Sequence, residues 1–115
     1  MHEYSVALAL IDRVAIAARA HESGRVRRVH VSIGELSGVD PGLLCTAYDA
    51  CRPGTICGGA SLDVTPVATA WTCSACGRAV PQVGPRRCTS CGAPARLTQG
   101  DELLLERIEV EVNDV

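Results

Sequence analysis

The sequence predicts an α+β fold: two helices on one face of a small mixed three-stranded sheet, with an inserted zinc-ribbon-like lobe. Three observations predict it. Apolar residues recur at helical spacing from Tyr4 to about Glu22 and again after Asp40. Three stretches, near 25–34, 60–67 and 102–112, alternate apolar with polar residues. Two Cys-x-x-Cys-Gly turns interrupt the chain between the second and third of these stretches.

In the first helix Val6, Ala7, Leu10, Ile11, Val14, Ala17 and Ala18 form one buried face. His21 near its C-terminal end and Gly24 just past it fit a cation at the negative pole and a left-handed cap. No second ligand lies at helical spacing from His21, so it is read as part of the helix end and not as a metal ligand. From Arg25 to Gly34, Val29, Val31 and Ile33 face one way, while Arg28, His30 and Ser32 face water. His30 is accordingly read as a solvated strand residue.

Residues 34–39 form a connector, and Asp40-Pro41 then supplies an N-cap and a first-turn proline. Leu43, Leu44, Ala47, Tyr48 and Cys51 make the apolar stripe of the second helix, which Arg52-Pro53-Gly54 stops. Cys45 and Cys51 fall on different faces and Cys57 in a Gly-rich turn, and all three are read as small buried thiols. In the second strand Ala60, Leu62 and Val64 share a face and Pro66 restricts it to an edge or an end. The third strand sets Leu104, Ile108, Val110 and Val112 against Glu109 and Glu111. The strand–helix–strand run from 25 to 67 suits a parallel crossover, and the two strands flanking the Cys hairpin are expected to pair antiparallel. Residues 1–67 and 101–115 then form one α/β domain and 68–100 a metal-binding one.

Bulk properties narrow the class. A chain of 115 residues, 47% hydrophobic, can bury a core, but without Phe and with one Trp and two Tyr that core is built of Val, Leu, Ile and Ala. A net charge of -2 argues against a nucleic-acid partner. No apolar run approaches the ~20 residues of a membrane span, and no signal peptide is recognisable. Seven cysteines without a secretory signal read as reduced thiols in the cytoplasm.

Cys73, Cys76, Cys88 and Cys91 carry the clearest chemistry. Each Cys-x-x-Cys turn holds two thiolates close together, and two turns complete a tetrahedral four-sulfur site. Gly77 and Gly92 supply the backbone freedom each turn needs. Such a closed site holds structure together and leaves no open position for catalysis. Zinc is the default ion, while iron in a rubredoxin-like site, as in an electron carrier, uses the same ligands. A small zinc-ribbon interaction module remains the other reading. Arg78, Arg86 and Arg87 offset the negative charge of four thiolates. With no nucleophile–base pair and three scattered His, the chain does not read as an enzyme.

The other chemistry lies at Met1-His2-Glu3. His2 is too bulky for ordinary removal of the initiator residue, so Met1 is expected to remain. Its amine, the amide nitrogen of His2 and the His2 ring can close adjacent chelate rings on one ion. A planar nitrogen set suits Ni(II) or Cu(II). Binding requires that amine and imidazole first lose protons.

Met1-His2-Glu3 with Ser5, Ile33-Gly34-Glu35-Leu36-Ser37-Gly38-Val39-Asp40, Gly54-Thr55, Gly59-Ala60, the doubled Cys-x-x-Cys-Gly, Gly100-Asp101-Glu102-Leu103 and Ile108-Glu109-Val110 occur in that order. Together they resemble the HypA/HybF family of hydrogenase nickel-incorporation proteins over nearly the whole chain. The resemblance implies a nickel metallochaperone. Nickel is held through His2 with backbone nitrogens of Met1, His2 and Glu3, and a structural zinc sits on Cys73, Cys76, Cys88 and Cys91. It implies a HypB-type GTPase partner and delivery to the large subunit of a [NiFe]-hydrogenase, and in some bacteria the family also serves urease maturation. Glu3 is implied in nickel geometry and partner choice. A monomer and a segment-exchanged homodimer are both compatible with it. Thr89 stands where many members have proline, and Leu44-Cys45-Thr46-Ala47-Tyr48-Asp49 replaces an aromatic-rich stretch. Neither departure touches a ligand.

Overall fold

The computed structural model describes residues 2–20 and 24–111, so Met1, His21, Glu22 and Val112 lie outside the described residues. Helix α1 spans His2–Ala20, and β1, Arg25–Gly34, follows it. Helix α2 (Pro41–Cys51) leads to β2 (Ser61–Val67). The insert contributes β3 (Ala70–Cys73), β4 (Ala79–Val80) and β5 (Ala95–Gln99), and β6 (Leu103–Glu111) closes the main sheet. The molecule is elongated, 61 × 33 × 16 Å.

The main sheet has the order β2-β1-β6. β1 pairs parallel with β2, from Arg28 opposite Ser61 to Gly34 opposite Val67, and antiparallel with β6. The crossover through α2 is therefore as expected. The antiparallel pairing of β2 with β6 is not, because β1 lies between them. The reason lies in β1 itself, whose Val26, Val29, Val31 and Ile33 are all buried and need partners on both sides. Pro66 then sits on an edge strand, where a residue without an N–H is tolerated.

Ala7, Leu10, Ile11, Val14 and Ala18 of α1 bury against this sheet together with Leu44 and Tyr48 of α2. The Tyr48 hydroxyl donates to the Ala60 carbonyl at 2.8 Å, which satisfies a phenol that is otherwise fully enclosed. Asp40 caps α2 through Oδ1, accepting from Leu43 N at 3.0 Å.

Three placements differ from expectation. Leu43 is 56% exposed, since a helix resting on one sheet buries a narrower stripe than the sequence offers. Leu104 is also exposed, while Leu103, Leu105, Ile108 and Val110 pack on the core. The register slips between His30–Arg107 and Val31–Leu105, so Glu106 is an extra residue that switches the inward parity of β6. A second slip at Arg27 does the same between Val26 and Val29 of β1. Ser32, expected in water, is buried, and its hydroxyl donates to Glu106 Oε1 at 2.8 Å.

In the insert β3 is central, flanked antiparallel by β4 and β5. Cys73, Val80 and Cys88 form a small core supported by Trp71, Ala93 and Ala95. The insert leaves and returns on either side of the end of β1. Gly34 N donates to Glu102 O (2.9 Å), Glu35 N to Val67 O (3.0 Å) and Leu36 N to Gly100 O (2.7 Å). At this joint a Cβ on Gly34 would meet the Gly100 carbonyl carbon and oxygen at 2.2 Å. Gly100 itself has φ +101° and would meet Thr69 Cα at 2.7 Å.

Gly34→Ala is therefore expected to destabilise the metal-loaded protein by about 3 kcal/mol in denaturant unfolding, because the obstruction is backbone on both sides. Gly59→Ala, with nothing within 4 Å of its added Cβ, is expected to stay within about 0.5 kcal/mol of the parent. Equal costs at the two positions would contradict the close approach.

Candidate metal centres

The two Cys turns are built alike. Gly77 N donates to Cys73 O (3.1 Å) and Cys73 N to Arg78 O (2.8 Å), and Gly92 N donates to Cys88 O (2.9 Å) and Cys88 N to Ala93 O (2.9 Å). Gly77 and Gly92 take φ of 76° and 74°, the left-handed conformation that lets each turn fold its N–H groups back over the first sulfur. Ala75 N and Cys76 N each lie 3.4 Å from Cys73 Sγ.

The four sulfur atoms lie within 4.8 Å of one another, with Cys73–Cys91 at 3.4 Å and Cys76–Cys88 at 3.7 Å. A tetrahedral ion with sulfur at ~2.3 Å needs sulfurs about 3.8 Å apart, so the donor set fits one. Cys73 and Cys88 are buried, Cys76 and Cys91 exposed. The N–H groups of Cys76 and Ala75 hold the Cys73 thiol down at about 6. Those of Cys91 and Ser90 lower Cys88 likewise. At Cys91 the Ala93 N–H pulls the same way, but Cys73, burial and Cys88 outweigh it and push the thiol up to about 11. Four sulfurs this close cannot all ionise without a cation among them.

Two of the three neighbouring arginines are tied to the second turn. Arg78 Nη1 donates to Ser90 Oγ at 2.9 Å and Arg87 Nη1 to the Gly92 carbonyl at 3.2 Å. Arg86 instead stacks on Trp71, 4.8 Å from the ring centre. Among the described residues no other group of three or more His, Cys, Asp or Glu side chains could hold an ion. His30 is not merely solvated: its ring lies between Glu109 and Asp63, with Nδ1 3.6 Å from Asp63 Oδ2. Its two nitrogens address different carboxylates, so they do not converge on one ion. Cys57 is buried and Cys45 and Cys51 are half-buried. Burial raises the Cys57 and Cys45 thiols, which keeps them protonated small hydrophobes.

At the other candidate centre, Met1 lies outside the described residues. His2 is exposed and begins α1, with Nδ1 3.8 Å from Glu3 Oε2. The first N–H groups of a helix have no intrahelical acceptor, so the amides of His2 and Glu3 are not committed to the helix ladder. The Glu3 carboxylate faces inward to α2, where Oε2 accepts from Asp40 N at 3.2 Å. Nothing at sequence level indicated this contact across 37 residues.

The family described as hydrogenase/urease nickel incorporation, metallochaperone, hypA matches residues 1–110. The chain belongs to the HypA family. Relatives named hydrogenase maturation factor HypA include one from Chlorobium limicola, 34% identical over 99% of this chain and 100% of that one. Another, from Deinococcus radiodurans, is 41% identical over 91% and 89% of the two chains. The solution structure of the Ni metallochaperone HypA from Helicobacter pylori superposes with a TM-score of 0.75 at 28% identity, covering 96% of this chain and 98% of that one. A second HypA solution structure gives 0.81 at 29%, covering 98% of each. The HypA fold, two helices on a mixed three-stranded sheet with a four-Cys lobe, is thus the one anticipated from the sequence.

The Asp40 N–H, the largest influence on Glu3, holds its carboxyl below the ordinary glutamate range, with the Glu3 N–H acting in the same direction. The bond is fully present above that ordinary range and is lost only as pH falls through the lowered folded value. The Asp40 amide resonance should therefore show a titration step with the Glu3 midpoint, below that of a free glutamate, and Glu3→Gln should remove that step. A midpoint at or above the free value would contradict the contact.

Proposed function

We propose that the chain carries Ni(II) at its N-terminus for maturation of a [NiFe]-hydrogenase. In this reading the Met1 amine, the His2 amide and ring, and the Glu3 amide supply the nitrogen donors, and a structural zinc occupies Cys73, Cys76, Cys88 and Cys91. Delivery to the hydrogenase large subunit proceeds with a HypB-type GTPase. The family's urease designation extends the same cargo role to urease maturation. The observation that carries the reading is the exposed His2 at the first turn of α1, next to amides that no helix bond uses.

A planar nitrogen set suits Ni(II) better than zinc, and the all-sulfur cage suits zinc better than nickel. Binding at the terminus displaces protons from amine, imidazole and amide, so uptake rises with pH. Release needs only ligand exchange at an exposed end, without disturbing the buried core. Division of labour follows: residues 1–67 with 101–115 hold cargo, and 68–100 hold the structural ion. No catalytic step is assigned to either site. None of the seven cysteines is in a disulfide, and no described helix is long and apolar enough to cross a membrane.

The test is elemental analysis of a tag-free protein with its native start, beside His2→Ala. The parent is expected to take up nickel stoichiometrically and to hold equimolar zinc without colour. His2→Ala is expected to lose the nickel and keep the zinc. Retained tight nickel in the variant would remove the N-terminal assignment, and a red, iron-bearing preparation would replace zinc by iron.

A further inference from the structure

The segment between β1 and α2, residues 34–40, is fastened at both ends to parts of the molecule that serve different metals. At its start, Glu35 N and Leu36 N donate to Val67 O and Gly100 O, the two sides of the stem that carries the four-Cys lobe. The Glu35 carboxylate reaches the same stem, accepting from Thr69 N at 3.3 Å. At its far end, Asp40 N donates to Glu3 Oε2, one residue from His2.

Between these anchors the segment is braced. Ser37 N donates to Gly34 O at 3.1 Å, and Val39 N to Ser37 Oγ at 3.2 Å. The Val39 side chain packs on the main core. A loop that merely joined a strand to a helix would need its own backbone groups satisfied and nothing more. Here a side chain crosses 34 positions of sequence to hold the stem, and the opposite end holds the cargo terminus.

We propose that residues 34–40 form a strut that fixes the N-terminus relative to the stem of the inserted lobe, with Glu35 as a positioning residue for the N-terminal metal site. The inference rests on the nickel reading above for its consequence, but not for its geometry. Glu35 touches no cargo and acts through Asp40 and Glu3. When the Thr69 anchor is lost the stem end of the segment gains freedom, the Asp40 N–H loses its fixed aim at Glu3, and the donors at His2 lose preorganisation.

The experiment compares the full-length, zinc-loaded parent with Glu35→Ala, Glu35→Gln and Glu35→Asp. Three quantities are read: amide hydrogen exchange at Asp40, nickel affinity by titration, and zinc content. In Glu35→Ala, exchange at Asp40 is expected to quicken about fivefold and nickel binding to weaken about fivefold, with zinc unchanged, as for one lost hydrogen bond. Glu35→Gln should restore both, since its amide oxygen can accept from Thr69 N. Should Glu35→Ala not fold, Glu35→Asp, one methylene too short for the same reach, must move both readouts in the same direction.

Unchanged exchange at Asp40 in the alanine or aspartate variant overturns the strut. Quickened exchange with unchanged nickel affinity overturns the positioning role of Glu35. Failure of Glu35→Gln to rescue overturns it as well, leaving a merely structural carboxylate. If the parent itself takes up no nickel, the function proposed above fails, and the exchange readout alone decides the strut.

Discussion

Gly34 and Gly100 bring two backbones together so closely that no side chain fits between them. The topology follows from this contact. Because the end of β1 is wedged into the stem of the insert, β2 and β6 must flank it on opposite sides, and β1 becomes the central strand, with Val26, Val29, Val31 and Ile33 buried. Apolar burial supplies the stability, since each enclosed Val or Leu of β1 and the helices contributes about 1.5–3 kcal/mol. The joint contributes direction: three backbone bonds from 34–36 to 67, 100 and 102 set how the inserted lobe stands on the sheet. Non-directional burial could not do that.

The inserted lobe is too small to fold on burial alone. Its core is two cysteines and one valine, with Trp71 and two alanines at the margin. The Cys turns therefore serve as a substitute core whose cohesion is electrostatic. Backbone N–H groups lower the first thiol of each pair. The second thiols then face neighbours that already carry charge, and Cys91 is pushed up. Left to themselves the four sulfurs hold protons among them, and a divalent ion removes that conflict by replacing the protons with one positive centre.

Much of this was legible from residue order. The 3.6-residue period placed the buried face of α1 correctly, Asp40-Pro41 located the start of α2, and the doubled Cys-x-x-Cys-Gly gave both the cluster of four thiols and the two left-handed glycines. What could not be read were the places where one extra residue changes the parity of a strand. The bulge at Glu106 turned Leu104 outward, and a bulge leaves no mark in an alternating pattern beyond a local break in it; Ser32 keeps its outward parity and is enclosed there beside Glu106. The antiparallel partner of β6 is β1 and not β2 for a reason that alternation does not carry. Alternation tells which face of a strand is apolar, not which neighbour it takes. Contacts such as Glu3 with Asp40 and Glu35 with Thr69 join side chain to backbone over more than thirty positions, and one sequence holds no signal for them.

The two proposed metal sites also differ in what release would cost. Binding at a structural four-sulfur site is itself folding free energy, apparent values running to about 10–16 kcal/mol for zinc at neutral pH, so losing that ion means losing the lobe. A site made from the first residues of a helix has no such coupling, since the end of α1 can open without exposing Ala7, Leu10 or Ile11. Yet a freely fraying end would also be a poor ligand, because its donors would have to be gathered at each binding event. The Glu3–Asp40 bond resolves that opposition. It restrains the terminus from outside the ligand set, through a carboxylate lying beside His2, so the backbone nitrogens remain available while the chain that carries them is held in place.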